Sequence, residues 1–132
     1  MIAEWAHKYV GLPYKEGCWG PTYYDCWGLF SLVYRLEFNI DVIGSMMPYD
    51  NNHEKIGRLQ EKISEWNLKS EPDIGDAILF LLGGRYPHCG IYVGDNKMLH
   101  SIRDISSCIE PINSLRWKSR LEGYYGYVQS SS

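Results

Sequence analysis

Three residues of the chain have both the types and the sequence settings needed to break an amide bond: Cys26, His88 and His100. A thiol attacks a carbonyl carbon as its thiolate, and it needs a base within reach to act repeatedly. Cys26 stands in Tyr24-Asp25-Cys26-Trp27-Gly28-Leu29-Phe30, which reads as a turn running into a helix. Asp25 suits the N-cap, because its carboxylate can accept from a free backbone N–H of the first turn. Leu29, Val33 and Leu36 recur at helical spacing behind it, with Phe30 beside them. A cysteine on that first turn feels the positive end of the helix dipole, which favours the thiolate.

The histidines flank Gly94-Asp95-Asn96, a hairpin turn between two strand-like runs, His88 to Val93 and Lys97 to Ile102. Read as a three-residue loop, the turn sets Val93 opposite Lys97, Tyr92 opposite Met98, Ile91 opposite Leu99 and Gly90 opposite His100. Alternation then gives one mostly apolar face of Cys89, Ile91, Val93, Leu99 and Ser101. The other face carries His88, Gly90, Tyr92, Met98 and His100. His88 and His100 become diagonal neighbours, with Cβ atoms about 7–8 Å apart and no side chain on Gly90 to separate them. A two-residue turn would shift the register by one and move His100 to the core face. In the three-residue register, Cys26 is a nucleophile, His88 its base and then the acid for the leaving amine, and His100 the group that orients His88. His100 would do so neutral, since adjacent imidazolium ions repel. Taken singly, a cysteine at a helix start is usually packing, and a strand histidine is more often a satisfied polar group than a catalyst.

The elements that must position these residues run from helices to strands, so the expected class is α+β. A short helix over Ile2 to Val10 is broken by Gly11-Leu12-Pro13-Tyr14. An aromatic-rich loop over 15–24 leads into Cys26, whose helix runs to about Phe38. Asn39 to Asn52 reads as loop and His53 to Trp66 as a second helix, with Ile56, Leu59, Ile63 and Trp66 on one apolar stripe. Pro72-Asp73-Ile74-Gly75-Asp76 is a turn before the buried strand Ala77 to Leu82, and 83–87 is loop. Ser107 to Ile109 and Tyr124 to Val128 can add strands, while 113–122 is ambiguous.

With 132 residues, 45% hydrophobic and 22% charged, the chain is expected to form one globular domain over 1–132, with 129–132 a frayed tail. A net charge of −3 gives no reason to expect nucleic acid or an anionic membrane as partner. No apolar run approaches the ~20 residues that would span a bilayer. The start, Met1-Ile2-Ala3-Glu4-Trp5, lacks the basic and apolar regions of a signal peptide. The expectation is synthesis in a bacterial cytoplasm, with any export inside an assembly. The cysteines at 18, 26, 89 and 108 have no CxxC spacing, which gives little support to zinc.

These motifs resemble those of the NlpC/P60 cysteine peptidases. Asp25-Cys26-Trp27-Gly28-Leu29 resembles the family's Asp-Cys-Ser-Gly-Leu, and His88-Cys89-Gly90-Ile91-Tyr92-Val93-Gly94 its His-Val-Gly-Ile-Tyr. Lys97-Met98-Leu99-His100-Ser101 resembles the strand ending in the third catalytic residue. Leu12-Pro13-Tyr14 and Pro72 to Phe80 resemble two further segments, all in family order. The resemblance implies a papain-like fold, with the nucleophile helix packed on an antiparallel sheet. It implies hydrolysis of peptidoglycan stem peptides, typically between D-γ-glutamyl and a diamino acid, with no metal or other cofactor. It maps the catalytic roles to Cys26, His88 and His100 and places Tyr14 near the oxyanion or the substrate. The chain departs from the pattern at Trp27, where the family has a small residue. Trp27 and the long aromatic segment before Cys26 are expected to narrow the cleft or alter the substrate. Trp27 and the closing Leu121-Glu122-Gly123-Tyr124-Tyr125-Gly126-Tyr127 look most like the bacteriophage tail branch, which would place the chain in a virion tail among other tail-tip proteins. Two other readings fit the same residues: a structural tail-tip component with an idle site, and an amidase or acyltransferase using the same triad.

Overall fold

The computed structural model describes residues 1–42, 52–83 and 86–127. The 3-10 helix Glu4–Tyr9 comes first, then α1 (Cys26–Phe38) and α2 (Asn52–Ser64). Among the described residues six strands follow: β1 (Asn67–Lys69), β2 (Ala77–Leu82), β3 (Tyr86–Gly94), β4 (Lys97–Ser101), β5 (Ser107–Pro111) and β6 (Leu121–Gly126). They form one sheet in the order β1-β6-β2-β3-β4-β5, with antiparallel neighbours throughout. The class is α+β. The expected loop over 43–51 and the tail 129–132 lie outside the described residues.

α1 begins where its cap predicts: the Asp25 carboxylate accepts from the Gly28 N–H at 2.7 Å. It ends at Asn39, which takes the left-handed conformation at φ 55°. Its buried face carries Leu29 and Val33 and also Phe30 and Tyr34. Phe30 and Tyr34 stack at 4.4 Å, and Trp66 stacks on Tyr34 at 5.7 Å. Leu36, expected on this face, is 59% exposed; the aromatic row i, i+4 has taken the contact with Trp66 that aliphatic residues would otherwise make. Leu59 and Ile63 of α2 are buried in the same core.

The β3–β4 hairpin has the expected faces by an unexpected route. Its turn is the two residues Asp95 and Asn96, at φ 54° and 57°, between the paired Gly94 and Lys97. Alone this would shift the register. A bulge between Tyr92 and Gly94 absorbs the extra residue, so Tyr92 pairs with Met98 and Ile91 with Leu99 as expected. Gly94 is required there: its φ is 101°, and a Cβ would lie 2.5 Å from the Met1 carbonyl oxygen. The expected pairings Val93–Lys97 and Gly90–His100 do not form. Cys89, Ile91, Val93 and Leu99 enter the core that receives α1. Met98 enters a second cluster with Ile78, Phe80, Ile112 and Trp117 on the opposite face.

Candidate active site

Hydrogen bonds of the segment before α1 hold the start of that helix near the end of the hairpin. Ser101 Oγ donates to the Tyr24 carbonyl at 3.2 Å, so the residue after His100 holds the turn before Cys26. The Asp25 N–H donates to Cys18 O at 2.8 Å and the Tyr24 N–H to Pro13 O at 3.0 Å, which closes the aromatic loop on itself. Leu12 and Pro13 lie against the start of β5 through Ser107 N–H to Leu12 O at 2.9 Å, and the Tyr14 N–H reaches Ile105 O at 3.4 Å.

On these supports Cys26, His88 and His100 come together. Cys26 is partly exposed, whereas His88 and His100 are 7% and 1% exposed. His88 Nε2 lies 2.8 Å from His100 Nδ1, with the rings edge to face. Gly90 lies between them without a side chain: a Cβ there would sit tightly against Met98 Sδ, at 3.2 Å, and in ordinary contact with His100 Cβ, at 3.5 Å. The Cys26 thiol is held well below the ordinary thiol range. The largest cause is a hydrogen bond from the Cys89 thiol; burial opposes it, and the charge and hydrogen bond of His88 reinforce it. Cys89 Sγ also lies 3.3 Å from the Cys26 carbonyl oxygen, to which it can donate. Burial and the neighbouring Cys26 push Cys89 itself far up, so it stays a thiol and keeps the proton it donates.

His100 is pushed down to about 2 by burial, then by the charges of His88 and Arg116. The Glu110 carboxylate, with Oε1 2.5 Å from His100 Nε2, favours the opposite charge state. A neutral imidazole satisfies that contact by donating Nε2–H, so we assign His100 as neutral. Tyr14 is half-buried, and its phenol is pushed up to about 12 by burial and then by the charges of Cys26 and Asp25. It therefore lies within electrostatic reach of the thiol and stays protonated. Arg103, beside the hairpin, pairs instead with Glu16 at the surface.

Two residues at the site escaped the sequence reading. Trp117 stacks on His88 at 4.9 Å and 16°, meets His100 edge-on at 5.0 Å, and donates its indole N–H to Glu110 Oε1 at 2.7 Å. Trp117 lies in 113–122, which the sequence leaves ambiguous. Glu110 lies one residue past the strand expected at Ser107 to Ile109. Extending that strand by one residue and applying the alternation rule would have put Cys108 and Glu110 on the His100 side. Trp27, by contrast, does not line a cleft: it is 2% exposed and packs in the core under α1. The helical turn that presents Cys26 outward rotates the next position inward.

The metal-ligating atoms of His100, Cys108 and Glu110 lie within 4.8 Å of one another. The His100 and Glu110 atoms are already joined by a hydrogen bond, and burial with Glu110 pushes the Cys108 thiol up to about 11. The trio is therefore a protonated network and a poor fit to a cation, which would need a thiolate and a bare imidazole nitrogen.

The chain is 32% identical over 125 residues to the probable endopeptidase p60 of Listeria grayi, covering 94% of this chain and 22% of that protein. It is 28% identical over 127 residues to the gamma-DL-glutamyl hydrolase of Bacillus subtilis (strain 168), covering 92% of this chain and 28% of the other. It thus spans a minor part of both relatives. Its backbone superposes on the crystal structure of the NlpC/p60 domain of the peptidoglycan hydrolase SagA with a TM-score of 0.66, at 22% identity and 92% coverage of each chain. The model of the NlpC/P60 family matches residues 11–125, a span that takes in every residue of the site, and the chain belongs to that family.

Proposed function

We propose that the chain is a cysteine endopeptidase that hydrolyses an amide bond of peptidoglycan stem peptides, of the D-γ-glutamyl–diamino acid type. The observation that carries this reading is the line Cys26, His88, His100, in which the thiolate is favoured and the two imidazoles share a 2.8 Å hydrogen bond. The names of the relatives, a probable endopeptidase and a gamma-DL-glutamyl hydrolase, agree with hydrolysis of an amide bond.

In this mechanism the Cys26 thiolate attacks the amide carbon and charge develops on the carbonyl oxygen. The Cys26 backbone N–H, on a first turn whose N–H groups lack helical partners, is one donor to that oxyanion. The Tyr14 hydroxyl is a second, and its raised pKa keeps the proton it must donate. His88, protonated in the ion pair, gives its proton to the leaving amine as the C–N bond breaks. It then takes a proton from water, which attacks the thioester and frees the carboxylate and Cys26. His100 accepts from His88 Nε2–H throughout and fixes the ring.

The setting we propose is a phage tail tip, reached by synthesis in a bacterial cytoplasm and incorporation into a virion. It rests on the likeness of Trp27 and of 121–127 to the tail-associated branch. Purified protein and its Cys26→Ala variant, incubated with defined muropeptides and read by mass spectrometry, test the activity. Cleavage at one amide by the parent alone supports it. Equal cleavage by the variant refutes it. Cleavage by neither favours a structural role in the tail.

A further inference from the structure

The hydrogen bonds around His100 form a chain whose proton positions can all be deduced from its far end. An indole N–H only donates, so Trp117 makes Glu110 Oε1 an acceptor at 2.7 Å. An ionised carboxylate only accepts, so at 2.5 Å His100 Nε2 must carry a proton. A neutral His100 then has a bare Nδ1, which at 2.8 Å accepts from His88 Nε2–H. His88 is left with Nδ1 for Cys26. We infer that Glu110 is a positioning residue, which selects the tautomer of His100 and through it holds the His88 proton on Nε2, so that Nδ1 of His88 faces the thiol and can take its proton.

Strand geometry supports a built arrangement. Cys108 stands directly opposite His100, and Glu110 opposite Met98, so Glu110 lies diagonal to His100 on the same face. Trp117 buries this face, 3% exposed itself, and its stacking on His88 fixes the other end of the chain. Without Glu110 the His100 proton is free to move to Nδ1. It would then face the His88 Nε2–H donor to donor, and the imidazolium that the thiolate needs would be disfavoured.

This inference rests on the peptidase reading for its kinetics but not for its spectroscopy. Nitrogen-15 NMR of the histidine side chains, without substrate, reads the tautomer directly. The parent should show the His100 proton on Nε2. Glu110→Ala should lose that preference, and Glu110→Gln, whose amide oxygen can accept from both donors, should keep it. With a cleavable muropeptide, Glu110→Ala should lower kcat by about tenfold to a hundredfold with KM within about twofold, the size expected of an imidazole's orienting partner. The alkaline limb of its pH profile should move down, which a loss of packing alone would not cause. Glu110→Gln should stay within about threefold of the parent, on the same principle. If the alanine variant does not fold, Glu110→Met, of similar volume and without an acceptor, replaces it. An unchanged His100 tautomer in the alanine or methionine variant overturns the inference, as does a Glu110→Gln variant as impaired as they are. If the parent cleaves nothing, the peptidase reading fails and the NMR comparison still decides the role of Glu110.

Discussion

Replacing Cys89, a buried thiol outside the triad, should weaken the nucleophile. The Cys89 thiol is the largest cause holding Cys26 down. The Cys26 carbonyl oxygen, 3.3 Å from Cys89 Sγ, competes for the same proton. Hydrogen bonds to charged groups contribute about 1.5–3 kcal/mol net, but a thiol is a weak donor and this one is shared, so about 1 kcal/mol is expected. At about 1.4 kcal/mol per factor of ten, Cys89→Ala should lower the thiolate fraction of Cys26 roughly fivefold at any pH below its inflection. Alkylation should slow less, by about two- to threefold, because a more basic thiolate is more nucleophilic with a Brønsted slope of about 0.4–0.5. Thiolate absorbance against pH, taken as the difference between each protein and its Cys26→Ala counterpart, isolates the right sulfur among the four. Cys89→Ser keeps a donor and should leave the inflection near or below the parent's. The lost sulfur also leaves a cavity, about 1 kcal/mol of global stability, which denaturant unfolding measures separately. An inflection in Cys89→Ala that coincides with the parent's, or falls below it, would refute the reasoning.

Three further outcomes follow from the same geometry. Asp25 is buried, and burial pushes its carboxyl up to about 6 against the opposing Gly28 N–H. The folded state therefore holds a proton that the unfolded chain releases near pH 4, so this group's contribution falls as pH rises from about 4 to 6. Asp25→Asn keeps the cap oxygen without the charge, and should be more stable than the parent by up to about 3 kcal/mol above pH 7, converging below about pH 4; a gap independent of pH in urea titrations would contradict this. Tyr14→Phe should lower kcat at least about tenfold with little change in KM if the hydroxyl meets the oxyanion, and unchanged steady-state kinetics on a muropeptide would remove Tyr14 from the mechanism. Trp27→Ser, which restores the small residue typical of the family, should destabilise the fold by about 3–5 kcal/mol as a large-to-small core change, without changing which muropeptide bond is cut; a stable variant with altered specificity would return Trp27 to the cleft.

Much of the site was legible because it depends on local rules. The N-cap at Asp25, the helix behind Cys26 and the alternation along β3 and β4 each follow from neighbours in sequence. What was not legible depends on contacts between distant segments. Leu36 and Phe38 have similar claims to a buried face, and distant aromatic residues favour the aromatic row: Trp66 stacks on Tyr34, and Trp5 meets Phe38 edge-on at 5.5 Å. Trp27 carries no local sign of facing inward, because a large residue after the nucleophile is compatible with either side of the first turn. Glu110 and Trp117 are seven residues apart and meet only because β5 and the segment after it fold across the histidines.

The hairpin shows why a correct conclusion can follow from an incorrect intermediate. The count of residues between Tyr92 and Met98 is fixed by the sequence. Pairing Tyr92 with Met98 across it puts His88 and His100 on one face, whether the excess is taken up in a three-residue loop or in a two-residue turn with a bulge. His88 and Cys89 are successive residues and point to opposite faces: Cys89 enters the core that receives α1, and His88 stacks on Trp117 on the other side. A slip of one residue between β3 and β4 would carry His100 to the Cys89 face and break its 2.8 Å contact with His88. The bulge that restores the register beside the two-residue turn is therefore what keeps the base and its orienting partner together.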